Sequence, residues 1–195
     1  MLRKTVEAFA LISALAGPVS AASVELSPVG ERVGQTVYAL ALAGDIKLGD
    51  DLRVASLLGK ALVEEQFPGF IVLSSNGGNT SASLGIARIA HNYGIPVVVG
   101  AKCLSACAII ALSAWRGRLF VVESGAIGLH QSWVGTNSAK ASLSLELTRN
   151  VARILRSYDV PKWVIEKMMR TQPQDMTYFS DAELRQIGAL VTRRP

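Results

Sequence analysis

The amino-acid sequence predicts an α/β protein built around a mostly parallel sheet that is covered by helices. Two short segments, 70–74 and 96–100, are apolar throughout, as expected for strands that are buried on both faces of a sheet. The segment between them, 81–93, carries apolar residues at helical spacing and is followed by Gly94, a typical helix end. Strands that alternate with helices in this way favour βαβ units and a parallel sheet.

The same alternation extends along most of the chain. We predict a strand at 37–46, a helix from Asp50 or Asp51 to about Gln66, a strand at 70–74, a helix at 81–93, a strand at 96–100, a helix at 105–115, strands at 119–122 and 126–129, and helices at 139–157, 161–170 and 181–187. Either aspartate is suited to cap the first helix. The apolar stripe expected to face the core from that helix is Leu52, Ala55, Leu58 and Leu62. Ser180 and Glu183 predict a capping box at the last helix.

The first 21 residues have the pattern of a secretory signal peptide. Arg3 and Lys4 precede an apolar stretch at 8–16, and small residues at 17–21 predict cleavage after Ala21. The apolar stretch is too short to span a bilayer comfortably, which favours cleavage over an uncleaved anchor or a first core helix. We therefore expect one domain at 22–195, in a periplasmic or secreted protein without a stable membrane span.

The composition argues against nucleic-acid binding. The 195-residue chain has a formal net charge of +5, but it has no basic stripe interleaved with aromatic residues. The excess of positive charge is more consistent with general solubility. No metal site is expected, because Cys103 and Cys107 lack the nearby third ligand that a zinc site needs. No cofactor is expected either.

Ser105 and His130 are the candidate catalytic residues. Ser105 opens an otherwise apolar helix, and His130 lies in a Gly-Leu-His-Gln turn after a predicted strand. A serine at a helix start and a histidine on a neighbouring turn suit a nucleophile and its general base, although Ser105 alone also suits a helix N-cap. Gly77 and Gly78 can present backbone N–H groups to an oxyanion. All three segments follow predicted parallel strands, and ligands bind open α/β sheets at that edge.

These segments resemble the ClpP/crotonase superfamily, and within it the ClpP-like and SppA-like serine peptidases. The resemblance covers about residues 35–191 and implies a fold of repeated β-β-α and βαβ units. The cysteines on either side of the serine resemble those of a group of uncharacterised periplasmic ClpP-like proteins. The matching segments are Leu73–Gly78, Ser81–Ala90, Cys103–Cys107, Gly125–Gln131 and the closing Tyr178–Val191.

The resemblance implies a role for each of four residues. Ser105 matches the family's nucleophile, and His130 matches its general base. Gly78 and Ala106 match the residues whose backbone amides bind the oxyanion. This assignment agrees with the chemistry, since serine needs a base to become a good nucleophile and a helix start favours negative charge.

The chain departs from the family's pattern at two positions. Asn76 replaces a proline in the glycine turn, which asparagine tolerates well. The family's catalytic aspartate aligns with Met176, so the neighbouring Asp175 is our candidate for the third catalytic residue. Asp159 and Asp181 are weaker options, and a Ser–His dyad is the alternative.

Cys103 and Cys107 leave two interpretations open. An exported protein can hold a disulfide, which would lock the turn around Ser105 or make the activity sensitive to redox conditions. The alternative is a pair of small buried apolar side chains.

The resemblance predicts an exported, ATP-independent serine hydrolase. We expect a peptidase that acts on a peptide or protein substrate and forms a homo-oligomer through the helix at 139–157. The alternative for that helix is that it only covers the sheet. A catalytically inactive binding or assembly module is the main alternative, and Met176 favours it. A crotonase-like enzyme acting on acyl thioesters would share the oxyanion hole but would leave Ser105 and His130 idle.

Overall fold

Eight strands form one sheet in this computed structural model, which describes residues 22–122, 124–134 and 138–192. The predicted signal peptide, 1–21, lies outside the described residues. The strands are β1 (Ser23–Arg32), β2 (Gln35–Ala43), β3 (Pro68–Ser75), β4 (Val97–Leu104), β5 (Leu119–Val122), β6 (Ala126–Leu129), β7 (Thr177–Tyr178) and β8 (Leu190–Thr192). The order across the sheet is β1-β2-β3-β4-β5-β8, while β6 pairs with β4 and with β7.

Most neighbouring strands are parallel, as predicted. The pairs β2–β3, β3–β4, β4–β5, β4–β6 and β5–β8 are parallel. The pairs β1–β2 and β6–β7 are antiparallel. The mixed α/β architecture with a mostly parallel sheet is therefore confirmed.

The helices follow the strands in the predicted order. They are α1 (Asp50–Val63), α2 (Thr80–Asn92), α3 (Ala106–Ser113), α4 (Ser138–Ser157), α5 (Lys162–Arg170) and α6 (Asp181–Gln186). The predicted capping box is present at α6, where Ser180 and Glu183 bond reciprocally. None of the helices in the described ranges is both long and apolar enough to cross a membrane.

The two faces of the sheet are covered unequally. Strand residues such as Leu40, Leu73 and Val99 belong to a large core cluster that also contains residues of all six helices. The opposite face has a small cluster of Ala39, Val72 and Val98. Only partly buried side chains pack around that cluster, namely Val29, Phe70, Phe120 and Val122. The uniformly apolar strands therefore correspond to one deeply covered face and one lightly covered face.

Helix α1 differs from the prediction in its cap and in its buried face. The N-cap is Gly49, whereas Asp50 is already helical and accepts a hydrogen bond from the Lys47 amide at 2.7 Å. The residues predicted at both ends of the stripe, Leu52 and Leu62, are 71% and 69% exposed. The buried residues are Asp50, Val54, Leu58 and Ala61. Val54, Leu58 and Ala61 also have helical spacing, so periodicity alone could not choose between the two stripes.

The hairpin of β1 and β2 was not predicted from the sequence. Pro28, Gly30 and several charged residues interrupt any alternation in β1, and the pairing shifts register between Pro28 and Gly30. Val33 and Gly34 make the turn, both with positive φ (52° and 75°), as a tight two-residue hairpin loop requires. Backbone pairing with β2, more than side-chain pattern, therefore defines this edge strand.

The sheet brings the ends of three parallel strands together. Ser75, the last residue of β3, is paired with Cys103 of β4. Leu104, the last residue of β4, is paired with Gly128 of β6. Residues that follow these strands therefore meet at one edge of the sheet, and the candidate site lies there.

Candidate active site

Ser105 lies in a sharp turn between the end of β4 and the start of α3. Its backbone has φ 55° and ψ −123°, a conformation that residues with side chains rarely adopt. Its amide donates to the Gly128 carbonyl at 2.9 Å, and its carbonyl accepts from the Ala108 amide at 3.0 Å. The hydroxyl makes no capping hydrogen bond to α3, which argues against an ordinary N-cap. A strained strand-to-helix turn of this kind presents the nucleophile in many serine hydrolases.

His130 directly follows β6, and the pairing of β6 with β4 brings it to Ser105. The two side chains meet with His130 Nε2 2.8 Å from Ser105 Oγ. This distance suits transfer of the hydroxyl proton to the imidazole. The structure thus brings together the two residues that the sequence predicts as nucleophile and base.

Burial favours the neutral form of His130. Desolvation lowers the pKa of His130 below its ordinary value of 6.5, although a backbone contact with Gln131 acts in the opposite direction. A neutral imidazole that accepts at Nε2 carries its proton on Nδ1. Nδ1 is buried and has no hydrogen-bond partner among the described residues. His130 is therefore ready to accept a proton at pH 7, while its Nδ1 makes no hydrogen bond within the described residues.

The glycine turn between β3 and α2 faces Ser105. The Gly77 carbonyl accepts from the Ile46 amide at 2.8 Å, and the Asn79 amide donates to the Ile46 carbonyl at 2.8 Å. Gly78, between them, therefore has its own amide directed away from Ile46. Gly78 and Ala106 both line the cavity that contains Ser105. As the first residue of α3, Ala106 has an amide without an intrahelical acceptor, so both amides are available to an oxyanion.

The close approach of the turn to Ser105 requires glycine. A Cβ on Gly77 would lie 2.7 Å from both the Leu104 carbonyl oxygen and the Ser105 Cβ. A Cβ on Gly78 would lie 2.2 Å from the Ile46 carbonyl oxygen. The φ values, 107° and 133°, also belong to the region that favours glycine. The Gly-Gly pair is therefore explained by geometry.

Ser75 positions the glycine turn, a role that sequence reasoning missed. Its hydroxyl accepts from the Gly77 amide at 3.0 Å and lies 3.3 Å from the Gly77 carbonyl oxygen, to which it donates. Ser75 is only 4% exposed, so the exchange of hydrogen bonds takes place in the core. The sequence did offer one signal for this role, since Ser75 is a polar residue at the end of an apolar strand.

The structure does not bring Asp175 to His130. Asp175 is exposed and lines a separate cavity beside Arg170 and Thr171. It therefore does not take the place predicted for the third catalytic residue. Leu129 of β6 is paired with Thr177 of β7, and the two strands are antiparallel. One residue further along the same register, Met176 lies opposite His130.

The two weaker aspartate candidates are also directed elsewhere. Asp159 forms an ion pair with Arg116 at 3.9 Å, and Asp181 forms one with Arg185 at 4.0 Å. Neither provides an acceptor for His130 Nδ1. The described structure therefore contains a Ser–His pair without an acidic third member.

Cys103 and Cys107 form a disulfide, with their Cα atoms 5.1 Å apart. Cys103 belongs to β4 and Cys107 to the first turn of α3, so the bridge spans Ser105. Both residues are fully buried. Of the two interpretations left open by the sequence, the structure has the disulfide.

A cavity of about 200 Å³ adjoins Ser105 and His130. The part of its wall away from these two residues is apolar and comes from four elements, α3, β6, α4 and α5. Its apolar residues are Ile109, Leu129, Val151 and Met168, all of them buried. Trp133 also lines the cavity and is 62% exposed, which places it at the entrance.

Helix α4 positions the segment that follows His130. The Ser132 amide donates to the Thr148 hydroxyl at 2.9 Å, and the Val134 amide donates to the Ser144 hydroxyl at 2.9 Å. Both hydroxyl residues are buried, at 0% and 7% exposure. Sequence reasoning treated this helix as an assembly element and missed these contacts, because a threonine and a serine in a polar helix look like surface residues.

Comparison with known proteins supports the fold. No protein-family model matches the chain, and no curated protein is similar to it in sequence. Among solved structures, the chain is similar to a ClpP1 mutant from Listeria monocytogenes, with a TM-score of 0.64 and 18% sequence identity. The match covers 80% of this chain and 92% of that chain. The chain therefore has a ClpP-like fold, and this degree of sequence identity shows the fold alone.

Proposed function

We propose that this protein is a serine hydrolase, and specifically a peptidase that acts on peptides or unfolded protein segments. The observation that carries the proposal is the hydrogen bond between Ser105 Oγ and His130 Nε2, made from a strained strand-to-helix turn. Backbone strain of this kind costs about 1–3 kcal/mol and is concentrated at functional sites. A purely structural serine would not require it.

The proposed reaction begins with attack on the substrate carbonyl. Ser105 Oγ forms a bond to the carbonyl carbon while His130 Nε2 takes the hydroxyl proton. The carbonyl oxygen becomes negatively charged and accepts hydrogen bonds from the Gly78 and Ala106 amides. The start of α3, directly below, adds a favourable partial positive charge.

The second half of the reaction releases both products. His130 gives its proton to the leaving amine, which departs as the carbonyl re-forms and leaves an acyl group on Ser105. Water then attacks the acyl group, with His130 again as the base. The bond from the acyl carbon to Ser105 Oγ breaks, Oγ takes the proton back from His130, and the acid product leaves. A metal ion or an organic cofactor has no part in these steps.

The substrate preference follows from the cavity. Its apolar wall of Ile109, Leu129, Val151 and Met168 suits an apolar side chain next to the scissile bond. Trp133 at the entrance offers an exposed aromatic surface for an extended chain. We therefore propose that the substrate carries an apolar residue on the acyl side of the bond that is cleaved.

Export and self-association belong to the same proposal. The sequence pattern of residues 1–21 supports export, and so does a disulfide, because the cytosol keeps most thiols reduced. Exposed Leu143 on α4 and the nearby Trp133 support a homo-oligomer, because exposed apolar side chains at one place favour an interface. The mass of the protein that a bacterial host exports tests export, because cleavage after Ala21 would remove the first 21 residues. Elution from a sizing column tests self-association.

Reaction with a fluorophosphonate probe tests the hydrolase. The probe forms a covalent adduct with an activated serine, and intact mass reports one adduct per chain. We expect an adduct with the wild-type protein and none with Ser105→Ala or His130→Ala. Ser81→Ala and His91→Gln are the matched controls, because Ser81 is exposed on α2 and His91 contacts Ser113 and Tyr158, away from the cavity. An unreactive wild-type protein would refute the proposal.

A catalytically inactive binding module is the second candidate. The specific observation in its favour is that the buried His130 Nδ1, opposite Met176, has no hydrogen-bond partner in the part of the chain that the structure describes. A histidine that lacks its orienting acceptor is a weaker base. Binding of apolar peptides by Ser105→Ala, together with an unreactive wild-type protein, would favour this candidate.

A further inference from the structure

The disulfide encloses the candidate nucleophile within a five-residue loop, from Cys103 to Cys107. Cys103 is fixed in the middle of the sheet, where it pairs with Ser75 on one side and with Ile127 on the other. Cys107 is fixed in α3, a helix in which every residue is buried. The bridge therefore joins two points that the fold already holds, with Ser105 at the centre of the intervening loop.

Ser105 needs restraint because its backbone conformation is unfavourable. Such a conformation persists only where the surroundings leave the residue no alternative. One restraint is the hydrogen bond from the Ser105 amide to Gly128. Another is the close contact with Gly77, where a Cβ would lie only 2.7 Å from the Ser105 Cβ. Neither restraint links the end of β4 to the start of α3, as the disulfide does.

We propose that the Cys103–Cys107 disulfide is a positioning device that keeps Ser105 in the conformation in which its hydroxyl meets His130. The inference rests on the proposed function, since it concerns the reactivity of the same serine. Oxidation of the two thiols releases two electrons and two protons to a disulfide oxidant, whose own disulfide becomes two thiols. Neither cysteine lines the cavity beside Ser105, so the two cysteines are positioning residues.

The burial of the bridge indicates a permanent device. Both cysteines are 0% exposed, whereas thiol–disulfide exchange requires direct attack on a sulfur atom. A reductant therefore reaches the bridge only when the loop opens. We expect the oxidised protein to remain oxidised and reactive in the presence of glutathione under native conditions.

The test compares the oxidised wild-type protein with Cys103→Ala, Cys107→Ala and the double variant. Loss of either cysteine opens the same bridge, so a positioning role predicts the same loss in all three variants. We expect the rate of fluorophosphonate adduct formation to fall about ten-fold, equivalent to about 1.4 kcal/mol. Ile110→Val is the control for packing, because Ile110 is buried in α3 outside the loop. It should keep the wild-type rate.

Non-additivity separates positioning from space filling. If each cysteine only fills space, the two single losses differ and multiply in the double variant, which would overturn the inference. Wild-type rates in all three variants would also overturn it, while the proposed function would stand. If the alanine variants do not fold, the wild-type protein reduced with dithiothreitol, with its thiols verified by mass, replaces them and must show the same ten-fold loss.

A second readout keeps the inference separate from the proposed function. Opening the bridge should increase amide hydrogen exchange at Ser105, whose amide donates to Gly128, by about ten-fold relative to the oxidised protein. If the wild-type protein does not react with the probe, the proposed function fails and this exchange measurement decides the inference alone. Equal exchange in the oxidised and bridge-free proteins would refute the positioning role.

Discussion

Replacing Met176 with aspartate should complete the catalytic site. The register of β6 and β7 sets residue 176 opposite His130. The Met176 side chain lies over Gly128, where a Cβ would come within 2.8 Å of the sulfur. Because side chains two residues apart in a strand point to the same face, Met176 covers the face of β6 from which His130 projects. A carboxylate at 176 should therefore reach His130 Nδ1.

The magnitude follows from the state of Nδ1. This atom is buried and has no hydrogen-bond partner among the described residues, so a carboxylate adds a new charge-assisted hydrogen bond, typically about 1.5–3 kcal/mol. His130 is only partly buried, and solvent screening reduces this by about half. The remainder raises the pKa of His130 by about one unit, since one unit corresponds to about 1.4 kcal/mol. Better orientation should also increase the reaction rate above that pKa by about ten-fold.

The assay is the pH dependence of fluorophosphonate labelling between pH 4 and 9. The base form of His130 is the reactive form, so the rate rises with pH through the pKa of His130. For Met176→Asp we expect this rise to shift to higher pH by about one unit and to reach a higher plateau. Met176→Asn is the matched control, because it has the same shape without the charge and should shift the curve little.

An unshifted curve for Met176→Asp, in a protein that folds as the wild type does, would refute this reasoning. It would mean that residue 176 does not reach His130, or that the ring rests in another orientation. A shift of equal size in Met176→Asn would also count against the argument, because the expected effect depends on the carboxylate charge.

Three further predictions concern the wild-type site and its supports. For the wild-type protein, the lowered pKa of His130 predicts that the labelling rate reaches half of its plateau below pH 6.5, and a midpoint at or above pH 6.5 would contradict the effect of burial. Ser75→Ala should slow labelling about five-fold, because the Gly77 turn loses both of its hydrogen bonds to that hydroxyl. Ser74→Ala, at the half-buried neighbouring position, is the control and should react at the wild-type rate. Equal rates for the two variants would show that the turn keeps its conformation without the Ser75 hydroxyl. Met168→Ala should lower the free energy of unfolding, measured by urea denaturation, by about 2–3 kcal/mol. In a peptide library it should shift cleavage towards peptides with bulkier apolar residues, because Met168 lines the cavity. An unchanged preference would place the substrate side chain outside this cavity.

Local chemistry in the sequence determined much of this protein. Uniformly apolar segments predicted the central parallel strands, because buried strands leave no place for polar side chains. The segments around Ser105 and His130 were recognisable because each follows such a strand. The capping box at Ser180 and Glu183 also depends only on neighbours three residues apart, and it is present as predicted.

Long-range placement was decided only by the tertiary structure. The edge strand β1 depends on backbone pairing with β2, which no side-chain pattern in the segment announces. The face that α1 buries depends on its packing against the sheet and α2, so Val54 and Ala61 are buried where Leu52 and Leu62 were expected. Asp175 and Met176 are adjacent in sequence, but the register of β7 on β6 decides which of them faces His130. One residue of register reverses the face of a side chain, and register is set by the whole sheet. Residue order alone could therefore name a candidate nucleophile and base but could not place a third partner.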